Sequence, residues 1–330
     1  MRKALALLLP VLFVPQLCAQ LPEFYKRVDR LTWVVEDVDK VVAGWRKLGF
    51  EQVQDPAEIS LDKTWVHGKR QASRVKVAAG RLGSIQVRWI QPVSGWNAYS
   101  EFRMKHGSGV FSLVHRVPSQ QAMDDEIARL AGLGVRVLEK GEISSPLGTV
   151  SYAYMDTEKE GKYSLGLIFV ADAGASEMPP QAPMDLKLSQ YAFVVRDPRP
   201  VSSYWKKLGF PEMTYTHGEL RDLIYRGLKG KFDQELGWQR HGEIVYEWIR
   251  PLKGPTVYEE HLKTHGEGFH HLAFDTNDID GVTARWKELG FLPTQSGGWG
   301  EPGNRGSGRF GYVDTSSLGG TSVEFLWNFR

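Results

Sequence analysis

Cysteine is almost absent: the 330-residue chain has one, Cys18. It lies in an N-terminal segment read below as removed, so the mature chain has no thiol. That excludes disulfides, thiolate metal ligands and cysteine nucleophiles together, and it permits an oxidising compartment without requiring one. Charge of one sign is also missing. Lys and Arg number 41 against 39 Asp and Glu, and the two signs are interspersed. There is thus no basic stripe for nucleic acid and no polybasic segment for an anionic membrane. Long apolar runs are limited to Ala4 to Val14, which follows Arg2 and Lys3 and ends in the polar stretch Pro15 to Gln20. The run is shorter than the roughly 20 residues of a transmembrane helix, and Ala19 suits the last position before cleavage. Residues 1–20 therefore read as a secretory signal, which implies a periplasmic or secreted protein with no membrane attachment after its removal. An uncleaved anchor is the lesser alternative. Lipidation at Cys18 is a further one, disfavoured by the bulk of Leu17.

What is present is a repeat. Trp-Arg-Lys-Leu-Gly-Phe at 45–50 returns as Trp-Lys-Lys-Leu-Gly-Phe at 205–210 and Trp-Lys-Glu-Leu-Gly-Phe at 286–291, with a weaker copy ending at Val135. Each copy closes an amphipathic helix. Val38, Val41, Val42, Trp45 and Leu48 share one face of the first, and Val201, Tyr204, Trp205 and Leu208 one face of the third. Gly49, Gly134, Gly209 and Gly290 stand where a helix C-terminus needs positive φ. A strand-like run precedes each helix (31–35, 111–117, 191–195, 272–276), and two or three follow, among them 84–90, 165–170, 244–249 and 322–327. The predicted unit is β-α-β-β-β, made four times, an α+β class with cupped mixed sheets. The Pro-containing stretch 172–185 reads as a linker between an N-terminal domain (21–171) and a C-terminal domain (186–330). The halves match across it: Trp89-Ile90-Gln91-Pro92 answers Trp248-Ile249-Arg250-Pro251, and Tyr99 and His106 answer Tyr258 and His265.

Strand alternation sorts the second half into two faces. Tyr191, Phe193, Leu272 and Phe274 face the helices, and alternation sends His270 with them. Gln190, Glu247, His271 and Glu324 line the opposite face. Carboxylates inside a sheet must be solvated, paired or metal-bound. Two carboxylates, an imidazole and an amide oxygen make a mixed donor set for a divalent metal ion such as zinc, nickel, cobalt, manganese or iron. Taken singly, a strand His is more often a satisfied core residue and a strand Glu more often solvent-facing; their joint occurrence at equivalent repeat positions carries the reading. The corresponding positions of the first half are Arg30, Arg88, Ser112 and Gly166. None is a good cation ligand, so that half is expected to hold no metal and to serve as a structural partner or to bind an anionic group. Arginines paired only with local carboxylates are the plainer alternative.

The paired modules, the stretch Gly-Glu-Gly-Phe-His-His-Leu-Ala-Phe at 266–274 and Val-Glu-Phe-Leu at 323–326 resemble the vicinal oxygen chelate superfamily of glyoxalases, bleomycin resistance proteins and dioxygenases. The resemblance covers nearly everything after the signal. It implies two glyoxalase-like domains, with metal ligands at Gln190, Glu247, His271 and Glu324, a set similar to that of zinc-type glyoxalase I. Gln190 occupies a position where the superfamily's dioxygenases need His, which makes oxygenation the lesser alternative. The implied activity is metal-assisted proton transfer beside a carbonyl, as in an isomerase, epimerase or lyase, on a small-molecule substrate, by a monomer or homodimer. Glu324 or Glu247 would be the base, and His265, Tyr258 and Arg309 at the rim would contact substrate. The segment 297–311 reads as a mobile lid or a plain surface loop. A non-catalytic sequestering protein is the competing reading.

Overall fold

The computed structural model describes residues 21–145, 148–171 and 186–329. The segments read as signal and linker, 1–20 and 172–185, lie outside the described residues. Among the described residues no helix is long and apolar enough to cross a membrane.

The first half holds β1 (Arg30–Val34), α1 (Val38–Lys47), β2 (Ala57–Val66), β3 (Lys69–Leu82), β4 (Ile85–Ser94) and α2 (Ala98–His106). It continues with β5 (Gly109–Arg116), α3 (Gln120–Gly132), β6 (Val137–Ser145), β7 (Gly148–Met155), α4 (Glu158–Gly161) and β8 (Ser164–Val170). The second half opens with β9 (Lys187–Val194), α5 (Pro198–Lys207), β10 (Thr214–Thr216), β11 (Leu220–Tyr225) and β12 (Leu228–Lys229). Then come β13 (Asp233–His241), β14 (Ile244–Lys253), α6 (Val257–Thr264) and β15 (Gly268–Asp275). It closes with α7 (Ile279–Glu288), β16 (Pro293–Trp299), β17 (Gly308–Val313) and β18 (Ser322–Asn328).

The repeated motif forms its helices as expected. Asp37 caps α1 by accepting from Lys40 N at 3.1 Å, and Val38, Val41, Val42 and Trp45 are buried on one face. Gly49, Gly134, Gly209 and Gly290 take φ of 93°, 87°, 99° and 94°, the left-handed turn that ends each helix without a Cβ clash. Helices α2 and α6 are additions to the expected unit. Their apolar stripe is weak, and local capping starts them: Asn97 and Ser100 form a reciprocal capping box, and Thr256 accepts from Glu259 N at 3.1 Å.

The halves share strand logic. β1 runs parallel to β4 and antiparallel to β5, and β5 is parallel to β8; β9 likewise pairs with β14 and β15, and β15 with β18. They part at the seam. In the first half β2 pairs with β6 and closes an eight-stranded barrel. In the second half the strand equivalent to β2 is broken at 217–219. Its start, β10, stays on β13, while its continuation, β11, crosses to β16, which leaves a curved ten-stranded sheet that does not close.

Helices α1, α3, α5 and α7 cover the convex faces, and one apolar core runs through both halves. The packing is crossed. Phe50 meets Trp286 edge-on, and Trp33 Nε1 donates to Gly319 O at 2.7 Å, so the first module rests on the fourth. Trp205 stacks on Tyr163 at 4.7 Å and donates to Gly161 O at 3.1 Å, so the third rests on the second.

His115 on β5 shows how burial sets the pH response. Its Nδ1 lies 2.8 Å from Arg27 O, and burial holds the imidazole down at about 4 against an ordinary 6.5. Between these values the unfolded chain binds a proton that the folded chain does not, so this residue's contribution falls as pH drops from 6.5 to 4. The stability difference between wild type and His115→Gln, followed by urea unfolding at pH 7 and pH 5, should change by about 2 kcal/mol in all, since the slope of about 1.4 kcal/mol per pH unit applies only below 6.5.

Candidate metal centre

Each curved sheet also carries a smaller cluster on its concave face. That of the second half includes Ala192, Val194, Ile249, Tyr258, Ala273, Phe310, Tyr312 and Leu326. Among them sit the candidate ligands. In register, Glu247 and His271 both pair with Ala192, and Glu324 pairs with Ala273. Two fully buried alanines thus form the floor, and longer donors rise around them. Leucine in place of Ala192 should push side-chain volume between Glu247 and His271. The expected result for Ala192→Leu is at least a tenfold loss of affinity for a divalent ion, read by metal titration, with a stability loss of about 1–3 kcal/mol from overpacking.

The ligand atoms of Glu247, His271 and Glu324 lie within 4.8 Å of one another, and all three residues are buried. His271 Nε2 is 3.1 Å from Glu324 Oε2 and 3.6 Å from Glu247 Oε2, the latter beyond hydrogen-bond range. Burial alone would lower the His271 pKa, but the two carboxylates reverse this and hold it up at about 9. Burial first, then the neighbouring Glu324 charge, raise Glu247. Glu247 Oε2 and Gln190 Oε1 are both buried without a hydrogen-bond partner. Two carboxylates and an imidazole whose ligand atoms converge, with the orphaned Gln190 oxygen lining the same cavity, are a donor set that a hard or borderline divalent ion takes.

Four expectations about the surroundings are affected. His270 does not face the convex-side helices; it lies on the concave side, under α6. The β15–β9 register slips between Phe269 and His271, a β-bulge that places two successive side chains on the concave side. There His270 Nδ1 is 2.8 Å from His271 Nδ1, and its ring lies against Tyr258 and His261. Burial and the neighbouring imidazoles hold it well below the ordinary range, so it is neutral and can accept from His271 Nδ1–H, which leaves Nε2 aimed at the carboxylates. Arg309 is not at the site: it alternates with the inward Phe310 and pairs with Asp280 at 2.7 Å outside. His265 caps α6 at a separate crevice lined by His106, Glu158 and Glu267. Of 297–311, residues 300–307 form the mostly exposed loop that joins β16 to β17, and the rest belong to those two strands.

Tyr258 does reach the site, from below rather than from the rim. It is fully buried and exchanges a 2.9 Å hydrogen bond with Tyr312. Tyr312 pairs in register with Glu324 and went unnoticed in the sequence. The signal was there in its repeat counterpart Tyr154, which pairs with Gly166 as Tyr312 does with Glu324. Gln190, Glu247, Tyr258, Tyr312 and Glu324 share a cavity of about 460 Å³, which extends past Trp299 and Phe310 to the broken seam at Gly218 and Glu219.

Among the described residues the first half has no equivalent cluster. A Cβ on Gly166, where the second half has Glu324, would lie 2.6 Å from Ser112 Oγ. Single substitutions cannot install the missing carboxylate there.

Residues 189–312 match the sequence model of the Glyoxalase/Bleomycin resistance protein/Dioxygenase superfamily. No curated protein matches the chain in sequence. Among solved structures it is similar to a variant of 4-hydroxymandelate synthase from Streptomyces coelicolor, at 14% identity over 91% of this chain and 92% of that one, with a TM-score of 0.61. It is also similar to a xylose isomerase-like TIM barrel/4-hydroxyphenylpyruvate dioxygenase fusion protein, at 14% identity over 92% of this chain and 49% of that one, with a TM-score of 0.51. A Mn(II)-bound glyoxalase from Novosphingobium aromaticivorans aligns at 16% identity over 92% and 83%, with a TM-score of 0.49. At such identities the likeness is one of fold. The sequence match thus ties residues 189–312, within the second half, to the glyoxalase/bleomycin resistance/dioxygenase superfamily, and for the chain as a whole the two-sheet architecture is shared as a fold with the solved structures.

Proposed function

We propose that the second half holds one divalent cation on Gln190, Glu247, His271 and Glu324, and that the protein is an exported enzyme catalysing proton transfer beside a carbonyl. The observation that supports it is the convergence of Glu247, His271 and Glu324 within 4.8 Å at the floor of a cavity large enough for a small oxygenated substrate. A bound cation would supply Lewis acidity to adjacent substrate oxygens. The chain's own groups do the rest. Glu247 or Glu324 takes the proton from the carbon next to the carbonyl and returns it to a neighbouring position. His270 orients His271, and the walls of the buried floor limit water.

Donor chemistry favours this over oxygenation. Non-haem iron oxygenases use two imidazoles and one carboxylate, whereas this cluster has one imidazole and two carboxylates. It also favours an enzyme over a sequestering protein, since sequestration alone needs no such cluster.

The test is metal analysis of the purified protein, followed by NMR detection of solvent deuterium entering the carbon beside the carbonyl in a panel of small hydroxy-ketones and hydroxy-aldehydes. Exchange that needs the metal and is lost in Glu324→Gln or Glu247→Gln is the expected outcome. A protein that retains no divalent metal, or metal content unaltered in Glu247→Gln and His271→Ala, sinks the proposal.

A further inference from the structure

The cavity of the second half has polar and aromatic walls that the four candidate ligands leave unused. Gln234 on β13 is one part of them. It is 8% exposed and lines the cavity, yet its Oε1 has no hydrogen-bond partner among the described residues. The N–H2 end of the same amide donates to the Tyr258 hydroxyl on α6, which holds the side chain in place with its oxygen unpaired. A buried acceptor without a donor is costly, so the occupant of this cavity is expected to bring one.

The broken seam adds two tryptophans. Trp238 Nε1 donates at 2.8 Å to Oγ1 of Thr216, the last residue of β10 before the break, and Trp299 pairs in register with Leu220, the first residue of β11 after it. Trp299 Nε1 in turn donates to Gly306 O at 2.9 Å. Both rings line the cavity, one from each lip of the seam. With their N–H groups satisfied by the protein, apolar surface is what they have left to offer an occupant. Trp238 also pairs in register with Glu247, so one ring neighbours the candidate ligands. Arg240 and Glu219 line the cavity too, with opposite charges that select no one ionic group.

We propose that the substrate is a sugar-like polyhydroxylated ketone or aldehyde, with its C–H faces against Trp238 and Trp299 and a hydroxyl remote from the carbonyl donating to Gln234 Oε1. The inference rests on the proton-transfer reading only for where the carbonyl lies. A sugar frame carries both things the walls ask for, C–H patches and hydroxyl donors. A plain alkyl or aryl ketone would cover the indoles and leave Gln234 unpaired. A site built to pair a substrate hydroxyl rejects the analogue lacking it far more strongly than an apolar pocket rejects a change of size. Gln234 is thereby the residue that sets specificity for hydroxylated substrates.

Calorimetric titration of the full-length protein, chelator-treated and Mn2+-loaded, with D-xylulose, hydroxyacetone and phenacyl alcohol tests this without turnover. All three carry the same hydroxy-ketone head, and only xylulose has further hydroxyls. Xylulose should bind the loaded protein at least about tenfold more tightly than either of the others. Gln234→Leu should weaken xylulose by about tenfold or more and leave hydroxyacetone within about twofold. Trp299→Leu, a change at the half-buried lip of the seam, should weaken xylulose by about fivefold or more and keeps the test decisive if Gln234→Leu does not fold. The proposal is overturned if xylulose binds neither form at about 10 mM, binds no better than hydroxyacetone or phenacyl alcohol, or keeps its affinity in both variants. Deuterium exchange on the same samples separates the two readings. Xylulose bound as expected with no exchange sinks proton transfer and supports this ligand class, whereas exchange with equal kcat/KM for hydroxyacetone and xylulose sinks the role of Gln234.

Discussion

Glu247→Gln should make the metal-free protein more stable while stripping it of its metal. In the cation-free fold, burial and the nearby Glu324 charge raise the Glu247 pKa, so the folded state disfavours its ionised form relative to the unfolded chain. A group with a raised folded pKa costs stability as pH rises above its unfolded value. A neutral amide of the same shape removes that cost, which exceeds what Glu247 returns through His271 because its own pKa stays raised on balance. The same change removes a charged donor from the four, which should weaken divalent binding by at least about a thousandfold if most of one strong ligand bond is lost. Thermal unfolding with and without added Mn2+ or Zn2+ reads both effects. Wild type should gain stability with metal, by RT ln(1 + [L]/Kd), and the variant should start higher and gain nothing. A variant less stable without metal and still stabilised by it would show that Glu247 serves the fold and not a cation.

The second large effect concerns the shared core. Trp205 is buried, stacked on Tyr163 and bonded to Gly161 O, both in the first half, and its ring also packs edge-on against Phe210. Trp205→Ala should cost about 3–5 kcal/mol, the usual range for an emptied large aromatic site. Because the removed contacts cross between the halves, the loss should appear as one shifted transition. Urea unfolding followed by tryptophan fluorescence and by far-ultraviolet circular dichroism should give coincident curves. Separated transitions, with only one moved, would contradict a shared core.

The reach of the sequence can be judged residue by residue. Trp-x-x-Leu-Gly-Phe was legible because one local rule, a helix face ending in positive φ, fixes all its members. Alternation was enough to put Glu247, His271 and Glu324 on one face, and the structure brings the ligand atoms of these three within 4.8 Å of one another. His270 was misplaced for the same reason: alternation is blind to a bulge, and only the partner strand reveals the extra residue. The broken seam at 217–219 was hidden because pairing of β11 with β16 joins segments distant in the chain. Arg309 and His265 were overvalued because residue type and nearness in sequence do not fix direction. Arg309 lies one residue from Phe310, which lines the cavity, and points the other way.

The crossed packing has a bearing on how the molecule comes into being. Trp33 bonds to a carbonyl 286 residues further along, and Leu318 covers Gly44. On the ribosome, the first module therefore waits for Gly319 to emerge before its aromatic core is sealed, which makes folding slow and late rather than stepwise from the N-terminus. A polypeptide that stays open until synthesis ends is one that can still be threaded through a narrow channel, and the proposed export of this protein would draw on that delay.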